Sequence, residues 1–204
     1  VDNRFWEPGD EWLEQGEQLQ VDVMFRSTDW IAEGLEEVLI HHRAALGYST
    51  CLWHNVLTSR VLFDRSGWFG QLQAWAAQPY PEPLRRAVVA KNHPILARSL
   101  SAYSHQLEKA VARHDLVSLN HRVAAFLASY FDLLFALNRR PHPGEKRLLT
   151  LVERFCPLRP VGLEERVEEL LRAAGTGEAR VVDLAEQLTA ALEPLLEGEG
   201  LLRG

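Results

Sequence analysis

Residues 116–137 read LVSLNHRVAAFLASYFDLLFAL, and the apolar side chains fall on several faces of the helix that this pattern predicts. A helix that is apolar around most of its circumference has to be surrounded by other elements of the protein. We therefore expect residues 116–137 to form the central helix of a bundle. The most apolar part, Val123 to Leu137, is interrupted by Ser129 and Asp132 and is shorter than the ~18 apolar residues that a membrane span needs.

The chain after residue 80 predicts further helices around this central one. A proline-rich segment, residues 79–83 (PYPEP), marks a boundary between two parts of the chain. Beyond it, apolar residues recur at helical spacing over 84–98, with a kink or break at His93-Pro94, and over 99–114, 144–155, 164–174 and 183–196.

The chain before residue 80 has a mixed pattern that predicts both strands and helices. The strands are expected over 19–25 (LQVDVMF) and 60–63 (RVLF), and the helices from an N-cap at Ser27 or Thr28 to Gly47 and over 68–77. A core where the two parts meet is expected to hold the aromatic residues Trp53, Phe63, Trp68, Phe69 and Trp75. The expected fold class is therefore α+β, with a partial sheet region followed by a predominantly α-helical bundle.

The composition and net charge of the chain limit the classes of protein to which it can belong. Hydrophobic residues make up 47% and charged residues 25% of the 204 residues, which is ordinary for a soluble globular protein. The net charge of −6 argues against nucleic-acid binding, because such proteins carry a basic surface. The two cysteines cannot form a disulfide framework, so we expect a cytoplasmic protein. The chain opens on Val1 without a signal-peptide pattern, and we expect further residues upstream of it.

Asp22 is an acidic residue between apolar neighbours on the expected strand over 19–25. A carboxylate in such a setting needs a cation or a hydrogen-bond donor, and Mg²⁺ is a common partner because it prefers oxygen ligands. The alternation of the strand also allows a simpler interpretation. Val21, Val23 and Phe25 then face the core, and Asp22 and Met24 face solvent.

Several short motifs together resemble one protein superfamily. They are residues 21–26 (VDVMFR) with Asp29-Trp30, residues 61–67 (VLFDRSG), 47–51 (GYSTC), 53–55 (WHN), 120–122 (NHR) and 143–147 (PGEKR). This set resembles the DNA polymerase β-type nucleotidyltransferases, and within them a less-studied group with a helical domain of unknown function behind the catalytic core. The resemblance extends from about Phe5 to Phe155.

The resemblance implies transfer of a nucleoside monophosphate to an unknown acceptor, with Mg²⁺ and ATP or another nucleotide as cofactors. It implies that residues 1–80 are the C-terminal remnant of a nucleotidyltransferase-like α/β domain and residues 81–204 its helical bundle domain. Asp22 then corresponds to the third metal-binding carboxylate. The sequence departs from the family because it contains neither the Gly-Ser nor the Asp-x-Asp motif that holds nucleotide and metal. We therefore expect this chain alone to be inactive.

Asp132 lies among apolar residues of the expected central helix, together with Asn120, His121, Arg122 and Tyr130. These polar residues either line a substrate cleft or form a satisfied buried network that fixes the packing of the helix. In the first case, Asp132 is a candidate general base for a substrate hydroxyl. The resemblance implies this role, because antibiotic-modifying members of the superfamily use a carboxylate of their helical domain in this way. The residues alone leave both alternatives open.

A run of cations over residues 138–147 (NRRPHPGEKR) is the other candidate binding element. Arg139, Lys146 and Arg147 are candidate phosphate contacts of a nucleotide or an anionic substrate, because cations beside a cleft bind phosphate oxygens well. The alternative is a solvated loop in which Pro143 begins the next helix.

Two other functions are kept as alternatives. The first is a helical binding or scaffold module without chemistry, which the missing motifs favour. The second is a helical ribonuclease or toxin-type partner, since Arg98 and His105 are expected on one helix face in an arrangement like that of small helical ribonucleases. The expected partners are a nucleotide and an unknown acceptor, with no membrane partner. A homodimer that covers an open strand edge is also expected.

Overall fold

The computed structural model describes residues 8–202, which contain one β-hairpin followed by helices. The fold is α+β and mostly helical, as the sequence predicts. The elements of this part of the chain are β1 (Gly9–Glu14), β2 (Leu19–Met24), α1 (Thr28–Leu39), α2 (Cys51–Thr58), α3 (Trp68–Ala76), α4 (Glu82–Ala97), α5 (Tyr103–Ala112), α6 (Leu116–Leu137), α7 (Leu148–Phe155), α8 (Leu163–Thr176) and α9 (Val181–Gly198).

The sheet of the described residues is a two-stranded antiparallel hairpin. Gly9 pairs with Met24 at one end and Glu14 with Leu19 at the other. Strand β2 confirms the prediction over 19–25, whereas β1 was not predicted. Within the described residues the outer edge of each strand has no further strand beside it, and the expected homodimer over such an edge stays a prediction.

The prediction of a strand over residues 60–63 is wrong. This segment has no regular secondary structure, and the side chains of Leu62 and Phe63 are 88% and 79% exposed. Without a neighbouring strand the apolar run has nothing to pair with, and it forms a surface loop. Phe63 is therefore not part of the core, whereas Trp53 is buried and its Nε1–H donates a hydrogen bond to the Ala76 carbonyl at 2.8 Å.

The first helices differ in length from the predictions. Ser27 caps α1 as predicted, because its Oγ accepts a hydrogen bond from the Trp30 N–H at 3.1 Å. Helix α1 ends at Leu39 rather than at Gly47, and a loop follows it. Helix α2, which begins after this loop, was not predicted. Helix α4 continues through Pro94 without a break.

Helix α6 is the central helix that the sequence predicts, with the predicted bounds. It packs against α4, α5, α8 and α9, and every residue from Ala128 to Leu137 is buried. None of the helices in residues 8–202 combines the length and apolar character that crossing a membrane requires.

Two clusters of buried apolar side chains form the core. The larger surrounds α6 and takes residues from α4, α5, α7, α8 and α9. The smaller joins α1, α2 and α3 to Leu84 and Val88 of α4 and Ala136 of α6. This second cluster contains residues from both sides of the expected boundary at residue 80. The division into domains 1–80 and 81–204 stays a prediction.

Arg85 of α4 is completely buried at the C-terminal end of α6. Its guanidinium donates to the carbonyls of Ala136 at 3.1 Å and Leu137 at 2.7 Å at the end of the helix, and the Ala136 carbonyl also accepts the Arg139 backbone N–H at 3.0 Å. The same group forms salt bridges with Glu199 at 2.9 Å and Glu82 at 3.4 Å. A buried cation at a helix C-terminus is also favourable for the helix dipole. Arg85 thus joins α4, α6 and the end of α9.

We expect Arg85→Met to lower the free energy of unfolding by about 2–4 kcal/mol, because the buried Leu137 carbonyl loses its donor and the Ala136 carbonyl and the Glu199 carboxylate each lose one. Urea denaturation followed by circular dichroism measures this. The matched control is Arg86→Met on the next position of α4, whose side chain is 60% exposed. We expect the control to lose less than about 1 kcal/mol. Equal losses for the two variants would contradict a structural role of Arg85.

Candidate functional site

Asp132 of α6 is at the centre of a buried hydrogen-bond network. Its carboxylate accepts the Ser49 Oγ–H at 2.6 Å and the Ser49 N–H at 3.1 Å. The Asn92 side-chain amide of α4 donates to the same carboxylate at 3.2 Å. Asp132 is 1% exposed, so these donors replace water around it. The network joins α4 and α6 to the loop that precedes α2.

The same side chains hold this loop along its length. The Asn92 Oδ1 accepts the Gly47 N–H at 2.9 Å, and the Asn92 Nδ2 donates to the Ala45 carbonyl at 3.0 Å. The Ser49 Oγ also accepts the Ala45 N–H at 2.9 Å. The loop 45–50 is therefore fixed against α4 and α6 by buried polar contacts rather than by regular secondary structure.

Gly47 lies where this loop comes closest to α6. Its φ is +77°, and a Cβ built on it would lie 2.8 Å from the Ala128 Cβ and 3.1 Å from the Ala128 carbonyl carbon. A side chain at this position would meet both backbone strain and a steric clash. Glycine is thus required for the close packing of the loop on α6.

Burial raises the pKa of Asp132 to about 6, although the hydrogen bonds from Ser49 and Asn92 lower it. A general base needs an oxygen that a substrate proton can approach. Here the neighbouring donors occupy the carboxylate and the side chain has almost no exposed surface. These contacts match the buried-network alternative, and a role as general base stays a prediction.

His142 links the turn 138–147 to the same loop. Its N–H donates to the Thr50 Oγ1 at 2.7 Å, and its Nδ1 accepts the Gly144 N–H at 3.0 Å. Since Nδ1 accepts a hydrogen bond, we assign the ring proton to Nε2. Burial, together with the nearby His54, lowers the pKa of His142 to about 4, so the ring is neutral at pH 7.

Cys51 lies beside this histidine, with its Sγ 3.4 Å from Nδ1. Burial and the Asp132 carboxylate raise the pKa of the Cys51 thiol to about 12. A thiol with such a pKa is protonated at neutral pH and is a poor nucleophile. The contact with His142 therefore leaves the Cys51 thiol protonated at neutral pH.

A groove of about 490 Å³ lies between α6, α7 and α8, next to this loop and turn. Its walls are mainly apolar, with polar side chains among them and at the rim. The lining residues are Tyr48, Asn120, Val123, Ala124, Leu127, Ala128, Phe131, Glu145, Arg147, Leu148, Leu149, Thr150, Glu164, Val167 and Leu171. This size and composition are typical of small-molecule sites.

The three candidate phosphate contacts do not lie together. Arg147 lines the groove, and Lys146 is exposed beside it in the chain. Arg139 is on a different side of the turn, where it forms salt bridges with Glu199 at 3.3 Å and Glu82 at 3.5 Å. Phosphate binding by these residues stays a prediction, and Arg147 is the one that faces a cavity in the described structure.

Asp22 is exposed on β2, directly opposite Glu11 of β1. Asp22 is therefore on the solvent side of the strand, as the simpler interpretation expected. That interpretation is wrong for Phe25, which it placed in the core and which is 54% exposed. Among residues 8–202 no group of three or more potential metal ligands occurs. Metal binding by Asp22 stays a prediction.

The expectation that Arg98 and His105 share one helix face is wrong. Arg98 ends α4 and forms a salt bridge with Glu193 at 3.0 Å, whereas His105 is in α5 and lies 3.3 Å from the Ser99 carbonyl. Ser99 to Ala102 separate the two helices.

The polar residues of α6 lie in different environments. Asn120 lines the groove, His121 and Arg122 are exposed, and Tyr130 is buried in the core. They do not form one cleft with Asp132.

The sequence did not indicate Asn92, Ser49 and His142 as members of the site. The spacing of these residues carries no signal, because their partners are between 40 and 92 positions away.

Comparison with known proteins gives one partial match. Residues 49–148 match a family described as a domain of unknown function (DUF4037). The match covers slightly less than half of the chain and includes Ser49, Asn92, Asp132 and His142, together with part of the groove. No curated protein and no solved structure matches this chain.

The first prediction for the site concerns the pH dependence of stability. The raised pKa of Asp132 means that the folded state holds this proton more tightly than the unfolded state, so protonation favours folding. The contribution is complete below pH ~4 and is lost as the pH rises through about 6. We expect the stability of the wild type relative to Asp132→Asn to fall by about 3 kcal/mol over this window.

Urea denaturation at several pH values measures this difference. Ser49→Ala removes a donor to the carboxylate and raises the Asp132 pKa further, so the upper end of the window moves to higher pH. The prediction would be contradicted if the stability of the wild type relative to Asp132→Asn stayed constant with pH, or if it rose as the pH rose.

The second prediction concerns the loop. We expect Gly47→Ala to lower the free energy of unfolding by at least about 2 kcal/mol, because of its positive φ and the contact with Ala128. Gly175→Ala is the matched control, since no atom lies within 4 Å of its added Cβ and it is in helix α8. The control is expected to be neutral or to gain up to about 1 kcal/mol. Thermal or urea denaturation compares the two, and similar effects would refute the close approach.

Proposed function

We propose that this chain binds a small organic molecule in the groove between α6, α7 and α8, as the acceptor-binding part of a nucleotidyltransferase-like enzyme. The observation that carries this proposal is the groove of about 490 Å³, with apolar walls and a few polar side chains at its rim. The acceptor of the nucleoside monophosphate is the molecule that such a site would hold.

Rigid walls support this proposal. Ala128 and Phe131 are on the buried central helix, and Tyr48 is in the loop that Asn92 and Asp132 hold in place. A site that is already formed in the free protein loses little conformational entropy when a ligand binds. The Asp132 network then serves binding by positioning the groove wall, without contact to the ligand.

The link to nucleotidyl transfer rests on the resemblance of residues 21–26, 47–51 and 143–147 to that superfamily. The exposed Asp22 is available to a metal ion, but the described residues do not complete a metal site. The nucleotide and Mg²⁺ would therefore be held mainly by residues outside the described part.

The free thiols of Cys51 and Cys156 support a cytoplasmic location.

A binding module without chemistry is the second candidate function. The same groove supports it, and so does the lack of Gly-Ser and Asp-x-Asp motifs in the sequence. The two proposals differ in whether a nucleotide-binding segment belongs to the same protein.

The test begins with the reading frame that precedes the codon for Val1. We expect it to encode a Gly-Ser and an Asp-x-Asp motif. The longer protein is then expected to bind ATP with Mg²⁺, and Asp22→Asn to weaken this binding at least tenfold in a calorimetric titration. Asp10→Asn, an exposed acid on the other strand of the same hairpin, is the control and should leave the affinity unchanged.

Two results would overturn the transferase proposal. One is an upstream sequence without these motifs. The other is full binding of ATP with Mg²⁺ by Asp22→Asn, which would remove Asp22 from the site. The binding module would then be the better interpretation.

A further inference from the structure

We propose that the groove between α6, α7 and α8 takes an organic cation, namely an amine or quaternary ammonium group attached to an apolar body. The inference rests on the proposed function, because it names the chemical class of the molecule in the same groove. It is carried by the charges on the rim, the position of Tyr48 and the apolar walls.

The walls favour a ligand with an apolar body. They include the side chains of Val123, Leu127 and Phe131 from α6, and of Val167 and Leu171 from α8. Burial of apolar ligand surface contributes roughly 25 cal/mol per Å². A volume of about 490 Å³ is enough for a two-ring compound.

The rim carries more negative than positive charge. The carboxylates of Glu145 and Glu164 and the guanidinium of Arg147 line the groove, and none of the three forms a salt bridge with another described residue. Elsewhere in residues 8–202 several carboxylates, such as that of Glu193, are paired. The two carboxylates and the guanidinium together give the rim a formal charge of −1, and the whole chain has −6. Both charges favour a cationic ligand.

Tyr48 places an aromatic ring in the lining of the groove, to which Glu145 also contributes. Its backbone has φ +57°, and its ring packs edge-on against the His142 ring at 5.0 Å, so the side chain is held from one side. Burial and the nearby Glu145 carboxylate raise the pKa of Tyr48. The neutral His142 ring does not repel a cation. An aromatic ring next to a carboxylate is a favourable setting for an organic ammonium group.

An anionic ligand fits this rim less well. Arg147 would attract it, whereas Glu145 and Glu164 would repel it. This charge balance separates the proposal from the expectation that Arg147 contacts phosphate. The two alternatives differ in the sign of the ligand charge and can be tested with matched probes.

The experiment uses two probes with the same ring system, 2-(2-naphthyl)ethylamine and 2-naphthylacetate, which have opposite charges at pH 7. Each is titrated into the protein by calorimetry and by ¹H–¹⁵N NMR. We expect the amine to bind at least tenfold more tightly than the acetate. Higher salt should reduce the difference, because the charges on the rim are partly exposed.

Variants test each part of the rim. The double variant Glu145→Gln and Glu164→Gln should weaken amine binding about tenfold, whereas Arg147→Gln should strengthen it several-fold. Ala124→Trp fills the groove from an exposed position of α6 and should abolish binding. Ala190→Trp on an exposed position of α9 is the matched control and should leave binding unchanged. NMR shifts far from each substitution verify the fold.

Equal affinity for the two probes, tighter binding of the acetate, or loss of binding in Arg147→Gln would each overturn the cation proposal. Lack of saturable binding of both probes would overturn it as well. These outcomes are independent of the titration with ATP and Mg²⁺, which can succeed while the groove prefers an anion. Conversely, amine binding to the groove can be found in a protein that does not bind ATP.

Discussion

The buried carboxylate of Asp132 is the constraint on which the site depends. A carboxylate without water must receive hydrogen bonds from the protein, and here Ser49 and Asn92 donate them. Because Ser49 is in a loop and Asn92 is in α4, satisfying one group on α6 fixes three elements together. Thr50 then holds the turn that contains His142. The groove wall is formed by the residues next to these contacts.

The polar contacts are concentrated around the C-terminal half of α6. Apolar packing holds the remainder of this helix, but apolar contacts tolerate small displacements of a neighbouring loop. The directional hydrogen bonds to Asp132 and from Arg85 restrict how α4, α6 and the loop pack together. Burying these groups costs solvation free energy, which the hydrogen bonds offset.

The sequence predicts the parts of this structure that local pattern determines. The bounds of α6 follow from its apolar faces, and the cap of α1 follows from Ser27. The predicted strand over 60–63 failed because strand formation depends on a partner that local pattern does not reveal. Asp132 was recognised from its apolar neighbours, but its donors were not. Asn92 and His142 have ordinary local surroundings, and only the tertiary fold buries them beside partners far away in the chain.

The structure separates the polar groups that hold the loop 45–50 in place from those that line the groove. Ser49 and Asn92 donate to Asp132 and also bind the backbone of the loop, whereas Tyr48 and Glu145 line the groove. Chain connectivity couples the two sets, because Tyr48 precedes Ser49 and Glu145 follows His142 by three residues. A change in the buried network would therefore displace the rim of the groove without altering a side chain that lines it. Loss of binding in an Asp132 variant would not by itself show catalysis by Asp132, and substitutions on the rim are the direct measure of ligand recognition.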